Sequence, residues 1–348
     1  MHEGAKWDRK QFTVDVTTKP MWGRGAPPVQ AEQRSAGFFP ASLEECGGLF
    51  RSLFSRRNIP AMPRHFMIAL LLLASTAAFA QKPQAPSSEQ LAAITARGKL
   101  LYEYDQAAWH ATDALQPSTI PKGAVDGYVA RKTDNGWVVM WGRFTPSRDK
   151  FLIVYEAVQT AKPELFRVEK HDPPIEDAGF YLNAFRAIDT GRQDFHGENR
   201  PYNFAVLPAE NRSFFVYILP AQTVEDVYPM GGDVRYLVSS DGLHIIAKRR
   251  MHQDIINITV NETTPFSLHT HILSDSAEDS DVFNVLTRHP RIPEYIATCD
   301  FSYVISSQGS IQATQLKACG KECEDYVAKL TSFQAFRKAG CPDMAGNP

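Results

Sequence analysis

The sequence lacks the short motifs that hold phosphate groups or activate a catalytic serine. It contains no Gly-x-Gly-x-x-Gly fingerprint, no Walker loop and no Gly-x-Ser-x-Gly elbow. It also lacks an excess of positive charge, since 37 Lys and Arg residues stand against 39 Asp and Glu. A nucleic-acid-binding protein needs a basic surface to neutralise phosphates, so we expect no nucleic-acid partner.

Long apolar runs are scarce, and the clearest one is short. Residues 66–80 form an apolar stretch that follows a basic segment at 62–65 and ends in small residues, Ala78-Phe79-Ala80. A membrane-spanning helix needs about 20 apolar residues. The order of these features predicts a signal peptide at 62–80. We therefore expect a protein exported to the periplasm or the extracellular space, without a stable membrane span after cleavage.

Residues 1–61 stand before this predicted signal peptide, where an exported protein normally has nothing. They show no sustained periodicity and contain the sequence GRGAPP at 23–28. Our hypothesis is that Met62 is the initiator, that 1–61 is an over-extended start outside the native protein, and that the exported chain begins at Gln81.

Cysteine is also scarce, with five residues in the chain. Four of them follow the predicted cleavage site: Cys299, Cys319, Cys323 and Cys341. An even number in an oxidising compartment predicts two disulfides, and three pairings are open. A cysteine zinc site is the rival interpretation, but the spacing fits known zinc motifs poorly.

The remaining sequence predicts an α+β fold with mainly antiparallel sheet. A capping box at Ser87 and Gln90 predicts an N-terminal helix. Asn135-Gly136 and Asp241-Gly242 predict hairpins between β-prone segments. Pro173-Pro174 predicts a break in the chain. Further helices are expected at 176–190, at 278–287 and, bearing Cys319 and Cys323, at the C-terminus.

A polar segment at 191–200 predicts a boundary between two halves of this fold. The first half, 81–195, and the second, 196–348, are each expected to combine helix and strand. The second half contains the segment with the most distinctive chemistry, Leu268-His269-Thr270-His271-Ile272-Leu273.

His269 and His271 are the strongest candidates for metal ligands. Alternate residues of a strand point to the same face, so a His-x-His strand presents two imidazoles side by side. Four carboxylates follow within ten residues: Asp275, Glu278, Asp279 and Asp281. His252 lies on a predicted neighbouring strand and is a further candidate. The alternative is that both histidines pack in the sheet and that the carboxylates only complement a helix dipole.

This segment resembles the JAMM (Mov34/MPN) metallopeptidases over about residues 266–313. Their pattern is His-x-His, seven residues, Ser-x-x-Asp, with a glutamate upstream. Here His269-Thr270-His271 is followed, after four residues, by Ser276-Ala277-Glu278-Asp279, and Ile272 stands where the family usually has proline. The resemblance implies that His269, His271 and Asp279 hold zinc and that Ser276 supports the oxyanion. Glu225 would be the general base, by rough distance alone.

Two functions follow as expectations. The first is an exported zinc-dependent hydrolase that acts on a peptide or isopeptide bond. The second is a non-catalytic binding or structural module, stabilised by disulfides, with a protein or peptide partner.

Overall fold

The structure is a computed structural model that describes residues 85–115 and 120–316. All described residues belong to one compact unit. The upstream segment 1–61, the predicted signal peptide 62–80 and the predicted C-terminal helix lie outside the described residues. So do Cys319, Cys323 and Cys341, and the disulfide prediction therefore stays a prediction.

A long N-terminal helix, α1 (Ser88–Leu115), opens the described fold. The predicted capping box is confirmed, because the Gln90 backbone N–H donates to Ser87 Oγ at 3.1 Å and the Ser87 N–H donates to Gln90 Oε1 at 2.8 Å. No helix in the described part of the chain is long and apolar enough to cross a membrane.

Three four-stranded sheets and one two-stranded ribbon follow α1 in the described chain. The first sheet has the order β1-β2-β3-β4, and its strands are β1 (Gly127–Thr133), β2 (Gly136–Phe144), β3 (Phe151–Gln159) and β4 (Phe166–Asp177). The helix α2 (Phe180–Asp194) comes next.

The second sheet has the order β5-β6-β8-β9, and its strands are β5 (Tyr202–Pro208), β6 (Phe214–Pro220), β8 (Val234–Val238) and β9 (Ile245–Arg250). A 3-10 turn at Glu210–Arg212 joins β5 and β6.

The last part of the described chain builds the region around the histidines. The ribbon pairs β7 (Val227–Met230) with β10 (Ile256–Thr259). The third sheet has the order β11-β12-β13-β14, with strands β11 (Ser267–Thr270), β12 (Glu294–Ala297), β13 (Phe301–Ile305) and β14 (Ile311–Gln315). The helix α3 (Asp279–Thr287) connects β11 to β12, and these two strands are parallel.

The predicted α+β class with mainly antiparallel sheet is confirmed for the described residues. Both predicted hairpins are present, since β1 pairs with β2 and β8 pairs with β9 in antiparallel register. Asn-Gly and Asp-Gly sequences succeed here because glycine adopts positive φ at no steric cost, as Gly136 (108°) and Gly242 (76°) do.

The predicted chain break at Pro173-Pro174 is wrong. These prolines lie within β4, which continues to Asp177, and α2 begins only at Phe180 rather than at 176. β4 is an edge strand, and its register with β3 skips residues between Lys170 and Ile175. An edge strand tolerates proline at such an irregularity because the missing N–H faces no partner strand.

Apolar packing fixes α3 against the rest of the fold. Val282, Val285 and Leu286 of α3 pack on Ile296 and Tyr303 of the third sheet. The same cluster includes Leu91 and Ile94 of α1, and α1 meets α3 at Gly98, where an added Cβ would lie 2.5 Å from the Val282 Cβ. Glycine at this position therefore allows the two helices to approach closely.

Candidate metal centre

Three imidazole rings and one carboxylate meet between the third sheet, α3 and the end of β9. His269 lies on β11, His271 directly follows that strand, His252 lies two residues beyond β9, and Asp281 is in the first turn of α3. One ligand atom from each residue lies within 4.8 Å of the others. All four residues are buried.

Local structure explains why these side chains converge. His269 and His271 are two residues apart on an extended segment, so both rings lie on the same face. Asp281 is the third residue of α3, and its carboxylate accepts the backbone N–H of Glu278 at 2.7 Å in a capping box. A carboxylate at this position is also stabilised by the positive end of the helix dipole.

Each ring is oriented by an oxygen acceptor on its Nδ1 atom. The three Nδ1 distances are all 2.7 Å, to Asp233 for His252, to Glu294 for His269 and to the backbone carbonyl of Ser276 for His271. A carbonyl or ionised carboxylate only accepts, so Nδ1 carries the proton in each ring. The Nε2 atoms are left to face the common centre.

The Nε2 atoms lie too close together to be stable without a positive charge between them. His271 Nε2 is 2.9 Å from His252 Nε2 and 2.9 Å from His269 Nε2. Asp281 Oδ1 is 2.9 Å from His252 Nε2 and 3.4 Å from His269 Nε2. In neutral rings of this tautomer the Nε2 lone pairs would repel one another and the carboxylate. Either bound protons or a metal cation must fill the centre.

The pKa shifts favour a positive charge on His252 beside an ionised Asp281, and a neutral His271. Burial alone would lower the pKa of His252, but the carboxylates of Asp233 and Asp281 outweigh it and raise that pKa well above its ordinary value. Burial would raise the pKa of Asp281, but His271 and His252 hold it well below its usual range. Burial dominates at His271, whose pKa is lowered. The centre thus consists of the ionised carboxylate of Asp281 and imidazole nitrogens that compete for the same proton or cation.

A second layer of buried charges supports the rings. Glu294 is fully buried, accepts a hydrogen bond from Arg288 Nη1 at 2.5 Å and contacts the hydroxyl of Ser267. Although burial opposes it, Arg288 lowers the pKa of Glu294 to about 2. Glu294 is therefore ionised when it accepts from His269. Carboxylates that orient imidazole ligands in this way are a common feature of protein metal sites.

Asp279, the aspartate expected from the sequence to bind metal, faces away from the histidines. Its carboxylate accepts the Tyr217 hydroxyl at 2.6 Å and Arg97 Nε at 3.0 Å, and it pairs with Arg235. Successive helix residues are rotated by about 100°, so residues two apart point in nearly opposite directions. Asp281 consequently reaches the rings, and Asp279 joins α3 to α1 and the second sheet.

The two residues expected to assist catalysis are also placed elsewhere. Ser276 contributes its backbone carbonyl to His271, while its hydroxyl donates to the Ala277 carbonyl at 2.9 Å. Glu225 is exposed in the turn before β7 and is absent from the described lining of the cavity beside the histidines. The structure thus brings together His269, His271 and the further candidate His252 among the expected residues.

A cavity of about 250 Å³ opens beside the rings. All three histidines line it, and Asp281 is not among its described lining residues. Its described lining comes from two parts of the chain, which are 268–273 and 251–254 with Ile256, and also includes Met230 and Gly231. Asp254 is the one carboxylate among these described residues. A ligand can therefore reach the centre from the histidine side.

Comparisons with protein-family models, with curated proteins and with solved structures found no match to this chain.

Sequence reasoning identified His269 and His271, which the structure places in the cluster, and chose Asp279, which lies on another side of α3 from Asp281. His252 was identifiable only as a histidine near the end of a neighbouring strand, because its distance in sequence from His269 says nothing about contact. Asp281 was one of four nearby carboxylates, and a helical projection from an N-cap at Glu278 would have separated it from Asp279. The supporting residues Asp233 and Glu294 carry no spacing signal in the sequence.

Proposed function

We propose that the protein binds one transition-metal ion, zinc by preference, through His252, His269, His271 and Asp281. The observation that carries this proposal is the convergence of three Nε2 atoms, each on a ring whose Nδ1 already donates elsewhere. Three imidazoles and one carboxylate form a donor set well suited to zinc. Burying ionisable groups costs free energy unless they are paired or bind metal. A bound metal ion would offset that cost in this cluster.

We further propose that this centre serves a hydrolase that acts on an amide or peptide bond. Zinc in such a site acts as a Lewis acid toward the carbonyl oxygen of a substrate. The cavity admits a substrate on the histidine side. Asp254 is the one carboxylate in the described lining of the cavity and is not a proposed metal ligand, so we assign it the acid–base role in place of Glu225. The JAMM resemblance supports the same reaction class.

One observation favours a second candidate, a non-catalytic module with a structural metal. The centre supplies four protein donors, and structural zinc sites are closed by four such ligands, whereas catalytic sites commonly use three. In that case the metal would stabilise the packing of α3 on the third sheet, and the cavity would bind a partner without chemistry.

The first experiment is metal analysis by mass spectrometry of the purified protein and of three alanine variants, His252→Ala, His269→Ala and His271→Ala. His244→Ala is the matched control, because His244 is exposed in the turn between β8 and β9. We expect nearly one zinc per chain in the wild type and the control, and a large loss in the other three. Wild-type protein that holds no metal after zinc loading would overturn the proposal.

The hydrolase and the structural candidate are separated by activity on a quenched fluorescent peptide library. Asp254→Asn should retain zinc and lose most of the activity if the protein is a hydrolase, because the metal ligands are untouched. A zinc-loaded wild type that cleaves no member of the library supports the structural candidate.

Export remains part of the proposal, because residues 62–80 lie outside the described structure. Sequencing the N-terminus of the protein recovered from outside the cytoplasm tests it. We expect Gln81 as the first residue, and an N-terminus upstream of Met62 would overturn the proposed start.

A further inference from the structure

The strand that carries the histidines has one unused edge. Among the described residues, β11 pairs with β12 alone. The backbone N–H groups of Ser267 and His271 donate to the Pro293 and Ala297 carbonyls at 3.0 and 2.9 Å. Successive amides of an extended strand point to alternate edges, so the N–H and C=O groups of Leu268 and Thr270 point away from β12.

That unused edge borders the cavity beside the metal centre. Three consecutive strand residues, 268–270, line the cavity, and so do the three residues that follow β11. Residues of one face alone would alternate along the strand, so the unbroken run at 268–270 indicates that the cavity lies along the edge of β11. The groups that point away from β12 are therefore directed toward the space where a substrate would lie.

The lining of the same cavity includes exposed apolar side chains and one acidic side chain. Ile256, Ile272 and Leu273 are large apolar side chains that remain 41%, 47% and 45% exposed. They come from both parts of the chain that line the cavity, and Asp254 is the one carboxylate of its described lining. Apolar side chains left open around a cavity mark a binding site more often than an ordinary surface.

We propose that the cavity binds an extended polypeptide segment, which adds as a strand to the free edge of β11 with its main chain beside the histidines. Donors and acceptors repeat along a strand edge every two residues, about 6.8 Å, and another extended main chain repeats its own groups at the same interval. Ile256, Ile272 and Leu273 would contact apolar side chains of the bound segment. This inference rests on the proposed function and specifies how its substrate is held.

The test uses a defined probe, a fluorescein-labelled peptide of sequence Lys-Val-Thr-Val-Thr-Val with blocked ends, bound to the zinc-loaded protein and measured by fluorescence anisotropy in the cold. Two further peptides carry N-methyl groups on alternate amides, one on the odd and one on the even positions. A bound strand uses the amides of one edge only. We expect one methylated peptide to bind at least ~10-fold more weakly, since it loses its main-chain hydrogen bonds to β11, and the other to bind nearly as well as the parent.

A matched pair of variants tests the protein side of the contact. Thr270→Pro removes one N–H that faces the cavity, and proline is tolerated where a strand edge has no partner. Thr270→Val keeps that N–H and the size of the side chain. We expect weaker binding of the parent peptide by Thr270→Pro alone. If Thr270→Pro fails to fold, the two methylated peptides still decide, because they require no substitution.

Zinc content, measured on the same samples, distinguishes failure of the strand-addition proposal from failure of the proposed metal site. Equal binding of both methylated peptides, or no binding of the parent by wild type that holds zinc, overturns the strand-addition proposal and leaves the metal centre standing. Wild type without zinc overturns the proposed function and this inference with it.

Discussion

Two aspartates on one helix offer the sharpest test of the structure, because they are two residues apart and equally buried but face different partners. Asp279→Asn removes the charge that pairs with Arg97 and Arg235, and Asp281→Asn removes the carboxylate beside the histidines. We expect Asp279→Asn to lower stability but leave zinc binding intact in the folded protein. We expect Asp281→Asn to abolish most zinc binding.

The magnitudes follow from burial. Removing one partner of a buried ion pair costs about 3–5 kcal/mol, and the lower end applies here because the side chains of Arg97 and Arg235 keep 32% and 16% exposure. In a chain of this size about 3 kcal/mol lowers Tm by ~6–12 °C. Zinc at ~1,000 times its Kd adds about 4 kcal/mol and raises Tm by ~8–16 °C.

The assay is thermal unfolding of both variants and wild type, with chelator and with added zinc. Wild type and Asp279→Asn should show the same zinc-dependent rise in Tm, starting from a lower value in Asp279→Asn. Asp281→Asn should show almost no rise. A zinc-dependent rise that survives in Asp281→Asn but is lost in Asp279→Asn would refute the assignment of Asp281 and restore the aspartate expected from the sequence.

Three further predictions follow. Asp233→Asn should weaken zinc binding by ~10–100-fold in competition titrations, because it loosens the orientation of His252 without removing a ligand; unchanged affinity would mean that the ring needs no such support. Gly98→Ala should lower the free energy of unfolding by ~1–2 kcal/mol in denaturant titrations, since the added methyl overlaps Val282, whereas an exposed helical glycine would be stabilised by about 1 kcal/mol on the same change. Zinc binding near pH 7 should release ~1–2 protons and should weaken as the pH falls. The reason is that the raised pKa of His252 keeps a proton on its ring, and zinc must displace that proton. Calorimetry in two buffers of different ionisation enthalpy measures the number of protons released.

Much of the local structure was predictable from the sequence. The capping box at Ser87, the glycine turns at Gly136 and Gly242 and the helix after Glu278 depend on neighbouring residues alone. The proline pair at 173–174 misled the prediction because the outcome depended on whether that strand had a partner on both sides. Edge position is a property of the sheet and is invisible in a short window of sequence.

The sequence by itself determined that His269 and His271 share one face, because alternation along a strand is a matter of backbone geometry. It also determined that acidic residues follow at the start of a helix. The tertiary structure alone decided that His252 completes the set, that Asp281 rather than Asp279 faces it, and that Asp233 and Glu294 orient the rings. Those contacts join residues 19 to 29 positions apart, and they depend on how α3, β9 and the third sheet pack, which no local pattern encodes.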